Sequence, residues 1–226
     1  MTRTAPPVPA AHRPRGDTPA MNRLLLHPAT RPLLFTAALW PLAWLSWGAW
    51  ADTLGANPAE ALIRGLGDWT LRFLCLTLAV TPLRQLTGWH ALARLRRMLG
   101  LFTFFYGGLH FLAYAWLDMG LALDDIGKDI VKRPFILVGS AALLLMLPLA
   151  ATSFNGAIRR LGAKRWQALH RAVYAVALLA LLHFFWMRAG KLDFGEVAVY
   201  ASIVAVLLGW RLWGLWQRRR PARANV

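Results

Sequence analysis

The sequence is short of cysteine and of acid. One cysteine, Cys75, stands among 226 residues, which excludes a disulfide framework; it lies in an apolar run, where it reads as a small buried residue. Ten Asp and Glu face 26 Lys and Arg, a net charge of +16. Such an excess would suit nucleic acid, but the basic residues lie between long apolar runs instead of along one soluble face, which excludes that partner. There is no G-x-G-x-x-G, hence no dinucleotide fingerprint. No internal repeat of the transporter kind is present, and no low-complexity stretch lies beyond the first thirty residues. What is abundant is apolar: 58% of the chain is hydrophobic, with twelve Trp, against about 45–50% apolar in a soluble domain.

The apolar residues fall into six runs near the length of about 20 that a spanning helix needs: Pro32–Trp50, Leu66–Leu83, Leu99–Leu117, Pro134–Ala151, Ala172–Met187 and Val197–Trp216. The second is the most polar; its Asp68 and Arg72 would lie one turn apart, where they can pair. Trp residues near several run ends fit an interfacial belt. Residues 1–31, the 84–97 and 152–171 loops and the segment from Arg211 onward hold 19 of the 26 basic residues, and nine of the ten acids fall on the opposite side. The expected fold is therefore an all-α membrane protein, a six-helix transmembrane bundle with both termini cytoplasmic by the positive-inside rule. Residues 1–31, rich in Pro, Ala and Arg, read as a disordered basic tail, with Met21 an alternative start. Residues 32–217 read as the membrane domain and 218–226 as a second basic tail. Ala49-Trp50-Ala51 resembles a signal cleavage site, but the run before it is long and holds Trp40, Pro41, Trp44 and Trp47, unlike a signal peptide.

Of six histidines, His12, His27 and His90 fall in the tail or a loop and read as solvated. His110 lies inside the third run, His170 at the start of the fifth and His183 deep in the fifth. A histidine in hydrocarbon is costly and usually faces the bundle interior. His110 lies eleven residues after Leu99 and His183 thirteen after His170, rises of about 16 and about 20 Å on parallel helices. Both reach a similar depth, where two imidazoles can take both axial positions of a heme iron. The absence of C-x-x-C-H means that such a heme is not covalently held. Gly107 and Gly108 either admit a flat macrocycle or let helices pack closely. No third ligand of matching depth is placed for zinc. A partner for His170 on the third run would fall at Arg97, so a second heme there lacks a histidine. Arg96 and Arg97 suit heme propionates or serve to set topology.

Several segments in order then carry a resemblance: Arg96-Arg97-Met98-Leu99-Gly100-Leu101; Tyr106 to Tyr114 around His110; Lys132-Arg133-Pro134-Phe135-Ile136; Leu147-Pro148-Leu149-Ala150-Ala151-Thr152-Ser153; and Lys164-Arg165-Trp166-Gln167-Ala168-Leu169-His170-Arg171, with His183 following. Together they resemble the heme-binding membrane subunit of the bacterial periplasmic protein-methionine-sulfoxide reductase system, the MsrQ family, in the ferric-reductase-like transmembrane group. The resemblance implies heme b, one or two, with FMN as a further cofactor, and His110, His170 and His183 as heme-associated residues. It implies the bacterial inner membrane and electron delivery to a periplasmic molybdopterin-containing catalytic subunit that repairs oxidised methionines. Arg97 departs from the two-histidine-per-helix pattern of the larger group members.

About ten residues follow the sixth run, so the chain is expected to conduct electrons while a flavin reductase or quinol supplies them, lipid surrounds it and a partner consumes them. The rivals are a quinol-linked or ferric-reducing cytochrome b with another acceptor, a transporter using histidines as relays, and a cofactor-free anchor subunit. A heme b spectrum separates the last two from the rest.

Overall fold

The computed structural model describes residues 20–190 and 192–219. Residues 1–19 of the expected N-terminal tail, with His12, and 220–226 of the C-terminal one lie outside them. Among the described residues every regular element is helical: α1 (Ala20–Leu26), α2 (Thr30–Trp50), α3 (Pro58–Thr87), α4 (Arg96–Ala113), α5 (Leu123–Lys132), α6 (Pro134–Ala151), α7 (Asn155–Leu161), α8 (Ala163–His170), α9 (Val173–Ala189) and α10 (Gly195–Arg219). A 3-10 turn, His90–Arg94, precedes α4, and a π turn, Tyr114–Asp118, continues it. Boundaries follow local chemistry. Asn57 caps α3 by accepting from Glu60 N at 3.1 Å, with Pro58 in the first turn, and Gly88 at φ 72° ends that helix. Pro134 opens α6.

Five stretches are long and apolar enough to cross a bilayer: Thr30–Trp50, Arg96–Asp118, Pro134–Ala151, Ala163–Ala189 and Gly195–Gln217. The remaining expected run, the second, Leu66–Leu83, lies within α3, whose 30 residues rise about 45 Å. Glu60, Arg64 and Asp68 dilute its hydropathy because they face an internal cavity. Its apolar positions Leu71, Leu74, Cys75 and Leu78 enter a core shared with Met146 of α6, Val176 of α9 and Val204 of α10. Arg72 does not settle on Asp68: its Nε donates to Tyr200 Oη at 3.2 Å and its guanidinium lies over Trp69. The large apolar side chains left outside, Trp40, Trp44 and Trp47 of α2 among them, fit a lipid-facing surface. These three run along α2 instead of marking its ends.

Residues 20–26 were expected in the structureless tail and instead form α1. Asn22 is buried there, its Nδ2 donating to Gly88 O and its Oδ1 accepting from Ala91 N, both at 3.2 Å. Two long-range hydrogen bonds thus tie the segment to the turn after α3.

The packing pairs α3 with α4 and α6 with α9, and α4 against α6 joins the pairs. On the outside, α2 closes over α3 and α4 through Tyr106. That side chain is fully buried; its hydroxyl donates to Ala38 O at 2.7 Å and accepts from Leu42 N at 3.2 Å. Leu42 N would otherwise bond Ala38 O within α2, so the hydroxyl is inserted into the ladder beside Pro41, where a proline already opens the helix. Tyr106→Phe leaves those two backbone groups without their partner, at a cost of about 1–3 kcal/mol. A lower thermal unfolding midpoint in detergent is expected, and an unchanged midpoint would show that the ladder simply recloses.

Candidate functional site

Between the two helix pairs lies a cavity of about 490 Å³, walled by α3, α4, α6 and α9. It falls in the size range of small-molecule and cofactor pockets, about 300–1,000 Å³. Leu71, Leu74, Leu143, Met146, Val176 and Phe184 give it apolar walls, while Glu60, Arg64, Asp118 and Arg133 stand towards the acid-bearing end of the bundle.

His110 and His183 reach into it from α4 and α9, with ring centroids 6.0 Å apart. Each ring is tied through Nδ1 to a backbone carbonyl: His110 to Ile63 O of α3 at 2.8 Å, His183 to Phe135 O of α6 at 2.5 Å. A carbonyl only accepts, so both rings carry their proton on Nδ1 and keep Nε2 as a lone-pair donor. This is the outer-shell arrangement that fixes a metal-ligating imidazole. Rings 6.0 Å apart between centroids are close enough that one metal ion could be held by both, given metal–nitrogen bonds of about 2 Å. Among the described residues no group of three or more His, Cys, Asp or Glu is placed to hold a metal ion by itself, so an ion between these rings needs further ligands from a cofactor.

Two glycines make room for the rings. A methyl group at Gly139 would stand 2.6 Å from His183 Nδ1 and 2.9 Å from its Cε1; one at Gly67 would stand 3.1 Å from His110 Cε1. Gly107 and Gly108, the sequence candidates, act differently. Gly107 lines the cavity, but a methyl there would meet Met146 at 3.1 Å, which makes it a close-packing residue between α4 and α6; Gly108 has open space around it.

Two buried polar atoms at this cavity lack a hydrogen-bond partner, Arg133 Nε and Ser140 Oγ. Such orphans are rare in folded proteins and point to a missing polar ligand group. Arg133 is otherwise held by Asp129, which also accepts from Tyr114 Oη at 2.5 Å. Its hydrogen bond keeps the Asp129 carboxyl below the usual carboxylate range. The guanidinium is thereby pinned at the cavity rim.

The other sequence candidates lie elsewhere. His170 Nε2 is 3.0 Å from Thr152 Oγ1, and the ring stacks on Trp166 at 3.9 Å between centroids. Arg96 donates to Thr81 Oγ1 at 2.8 Å and Arg97 to Asn155 Oδ1 at 2.7 Å. None of the three lines the histidine cavity. His27 and His90 are exposed. Sequence reasoning did not single out Gly67, Gly139, Ser140, Arg64 or Arg133 for this site. The one available signal was the presence of small residues inside otherwise bulky apolar runs.

The ferric reductase like transmembrane component family matches residues 66–181. Proteins called protein-methionine-sulfoxide reductase heme-binding subunit MsrQ are close in sequence. That of Polaromonas naphthalenivorans is 64% identical over 204 residues, 90% of this chain and 93% of that protein. That of Herminiimonas arsenicoxydans is 54% identical over 194 residues, covering 86% and 89%. That of Bordetella pertussis is 57% identical over 193 residues, covering 85% and 93%. No solved structure matches the chain. At such identity over nearly the whole length, this chain belongs to the MsrQ family within the ferric-reductase-like transmembrane group.

Proposed function

We propose that the chain is a heme b electron-transfer subunit of a methionine-sulfoxide reductase, with residues 32–217 forming the heme-binding membrane domain. The observation that carries this reading is the pair of half-buried imidazoles, 6.0 Å apart in a cavity of about 490 Å³, each oriented by a backbone carbonyl. Heme bound there supplies a reversible one-electron carrier. His110 and His183 would hold it through Nε2, and Ile63 O and Phe135 O keep the rings in the tautomer that leaves Nε2 free to do so. The apolar walls exclude water from the metal position. Arg133 Nε and Ser140 Oγ, the orphaned donors at the rim, offer partners to the heme carboxylates, with Arg64 a further cation on the same side. Arg96 and Arg97 were the sequence candidates for that task; their contacts turn them to Thr81 and Asn155. The test is direct: purified protein should be red, with a reduced-minus-oxidised heme b spectrum and heme measurable by pyridine hemochrome. A colourless protein from heme-replete cells would overturn the reading in favour of a relay transporter or an anchor.

The electron path runs from the basic, cytoplasmic side of the bacterial inner membrane to a periplasmic molybdopterin-containing catalytic subunit that repairs oxidised methionines. A flavin reductase or quinol is the donor. FMN belongs to the reading by family likeness, with no residues assigned to it. The charge asymmetry supports the orientation. A reporter fused after Val226 is expected in the cytoplasm and one inserted near Asp124 in the periplasm; the opposite result for either would sink it.

His170 stands apart from the cavity, bonded to Thr152 and stacked on Trp166. His170→Ala is expected to keep most of the heme while altering its spectrum or electron entry. Heme per chain is the measurement, and complete loss on that change would show that the histidines had been divided wrongly between sites.

A further inference from the structure

A second cavity, about 660 Å³, opens between the starts of α2 and α4. Arg31, Arg94 and Arg97 lie at the end where both helices begin, and Phe35, Leu39, Leu101 and Phe105 line the cleft further along. Leu39 is eight residues beyond Arg31, and Phe105 eight beyond Arg97. The helices run in parallel, so the cations sit at one end of about 12 Å of apolar lining. The apolar wall is open sideways: Phe35 is 50% exposed, Leu101 39% and Phe105 38%.

Among the described residues no Asp or Glu lines this cleft. The basic face, residues 20–31, 84–97, 152–171 and 211–219, contains no Asp or Glu, and the partner of Arg97 is the neutral Asn155. A soluble anion would answer the charges and leave the apolar lining bare. A neutral amphiphile would fill the lining and leave the charges uncompensated. An anionic phospholipid does both, and basic pockets between helices at the cytoplasmic leaflet are a recurring form of lipid recognition.

We propose that this cleft binds one anionic phospholipid of the leaflet on the basic side, its phosphate among Arg31, Arg94 and Arg97 and an acyl chain along Leu39 and Phe105. The proposal does not depend on the reading of the histidine cavity. The experiment is native mass spectrometry of the full chain released from bilayers of mixed phosphatidylglycerol and phosphatidylcholine. One retained phosphatidylglycerol per chain is expected. Each Arg→Gln change is expected to weaken retention about five-fold. The triple variant Arg31→Gln, Arg94→Gln, Arg97→Gln should lose it, while Arg159→Gln, Arg160→Gln, Lys164→Gln, with the same change of charge on the same face, should keep it. If the first triple variant fails to insert, Arg31→Gln and Arg94→Gln singly serve in its place. Equal retention of phosphatidylcholine, or equal loss from the second triple variant, would overturn the proposal. So would displacement of the lipid by millimolar inorganic phosphate, which would mark a soluble-anion site.

Discussion

Alanine at His110 or at His183 is expected to remove most of the low-spin heme from the purified chain and to stop electron transfer to the proposed catalytic partner. The two rings offer one nitrogen each across a single cavity, 6.0 Å apart between centroids, and low-spin iron needs both axial positions filled. Neutral imidazole is an ordinary heme ligand. Losing one ring also removes its hydrogen bond to a backbone carbonyl, Ile63 O or Phe135 O, at a cost of about 0.5–1.5 kcal/mol in stability. Heme per chain by pyridine hemochrome, together with the low-spin spectrum, is the measurement, with each variant checked for membrane insertion. Changes at His12, His27 or His90 should do little. A His110→Ala or His183→Ala protein that inserts and keeps the parental low-spin spectrum would refute axial ligation by this pair. Strong loss at His90→Ala would point instead to a heme on the basic side held by His90 and His170.

A graded effect is expected along three glycines. At Gly139 a methyl group would stand 2.6 Å from the His183 nitrogen that bonds Phe135 O. The ring cannot retreat without giving up that bond, so Gly139→Ala should disturb the heme nearly as much as loss of His183, with an overpacking cost of about 1–3 kcal/mol. At Gly67 the nearest approach is 3.1 Å, to His110 Cε1. A shift of a few tenths of an ångström suffices there, and Gly67→Ala should alter the spectrum while keeping most of the heme. Gly108 has nothing within 4 Å, so Gly108→Ala should be silent. The low-spin absorption and electron paramagnetic resonance of the three purified variants give the ranking. If Gly108→Ala is the most damaging, the cradle has been assigned to the wrong helix.

Heme orientation offers a consistency check on the rim. Arg133 is held by Asp129 on α5, one turn before it, and Asp129 is held in turn by Tyr114 beyond the end of α4. The network joins α5 to the turn just after His110, so the His110-bearing end of α4 and the proposed carboxylate anchor are mechanically one unit. A rim set in this way depends on three successive segments, the turn after α4, α5 and the start of α6, which only folding brings into contact.

That dependence marks the border between sequence and tertiary structure here. Apolar run length, the distribution of Arg and Lys, and the depth of His110 and His183 are local or additive properties. The helical rise is constant, so a count of residues becomes a depth, and the all-α membrane architecture follows from the same count. α1 was misjudged because composition alone could not foresee Asn22 reaching Gly88 and Ala91. The second span was legible but pale, since Asp68 in it faces a cavity that exists only when four helices assemble. Azimuth, unlike depth, is set by packing. Which glycine clears which imidazole, which carbonyl fixes its tautomer, and whether Arg96 and Arg97 or Arg133 stand at the cavity rim all depend on the rotation of one helix against another. No short-range period encodes that rotation; the interlocking of α3 with α4 and of α6 with α9 decides it.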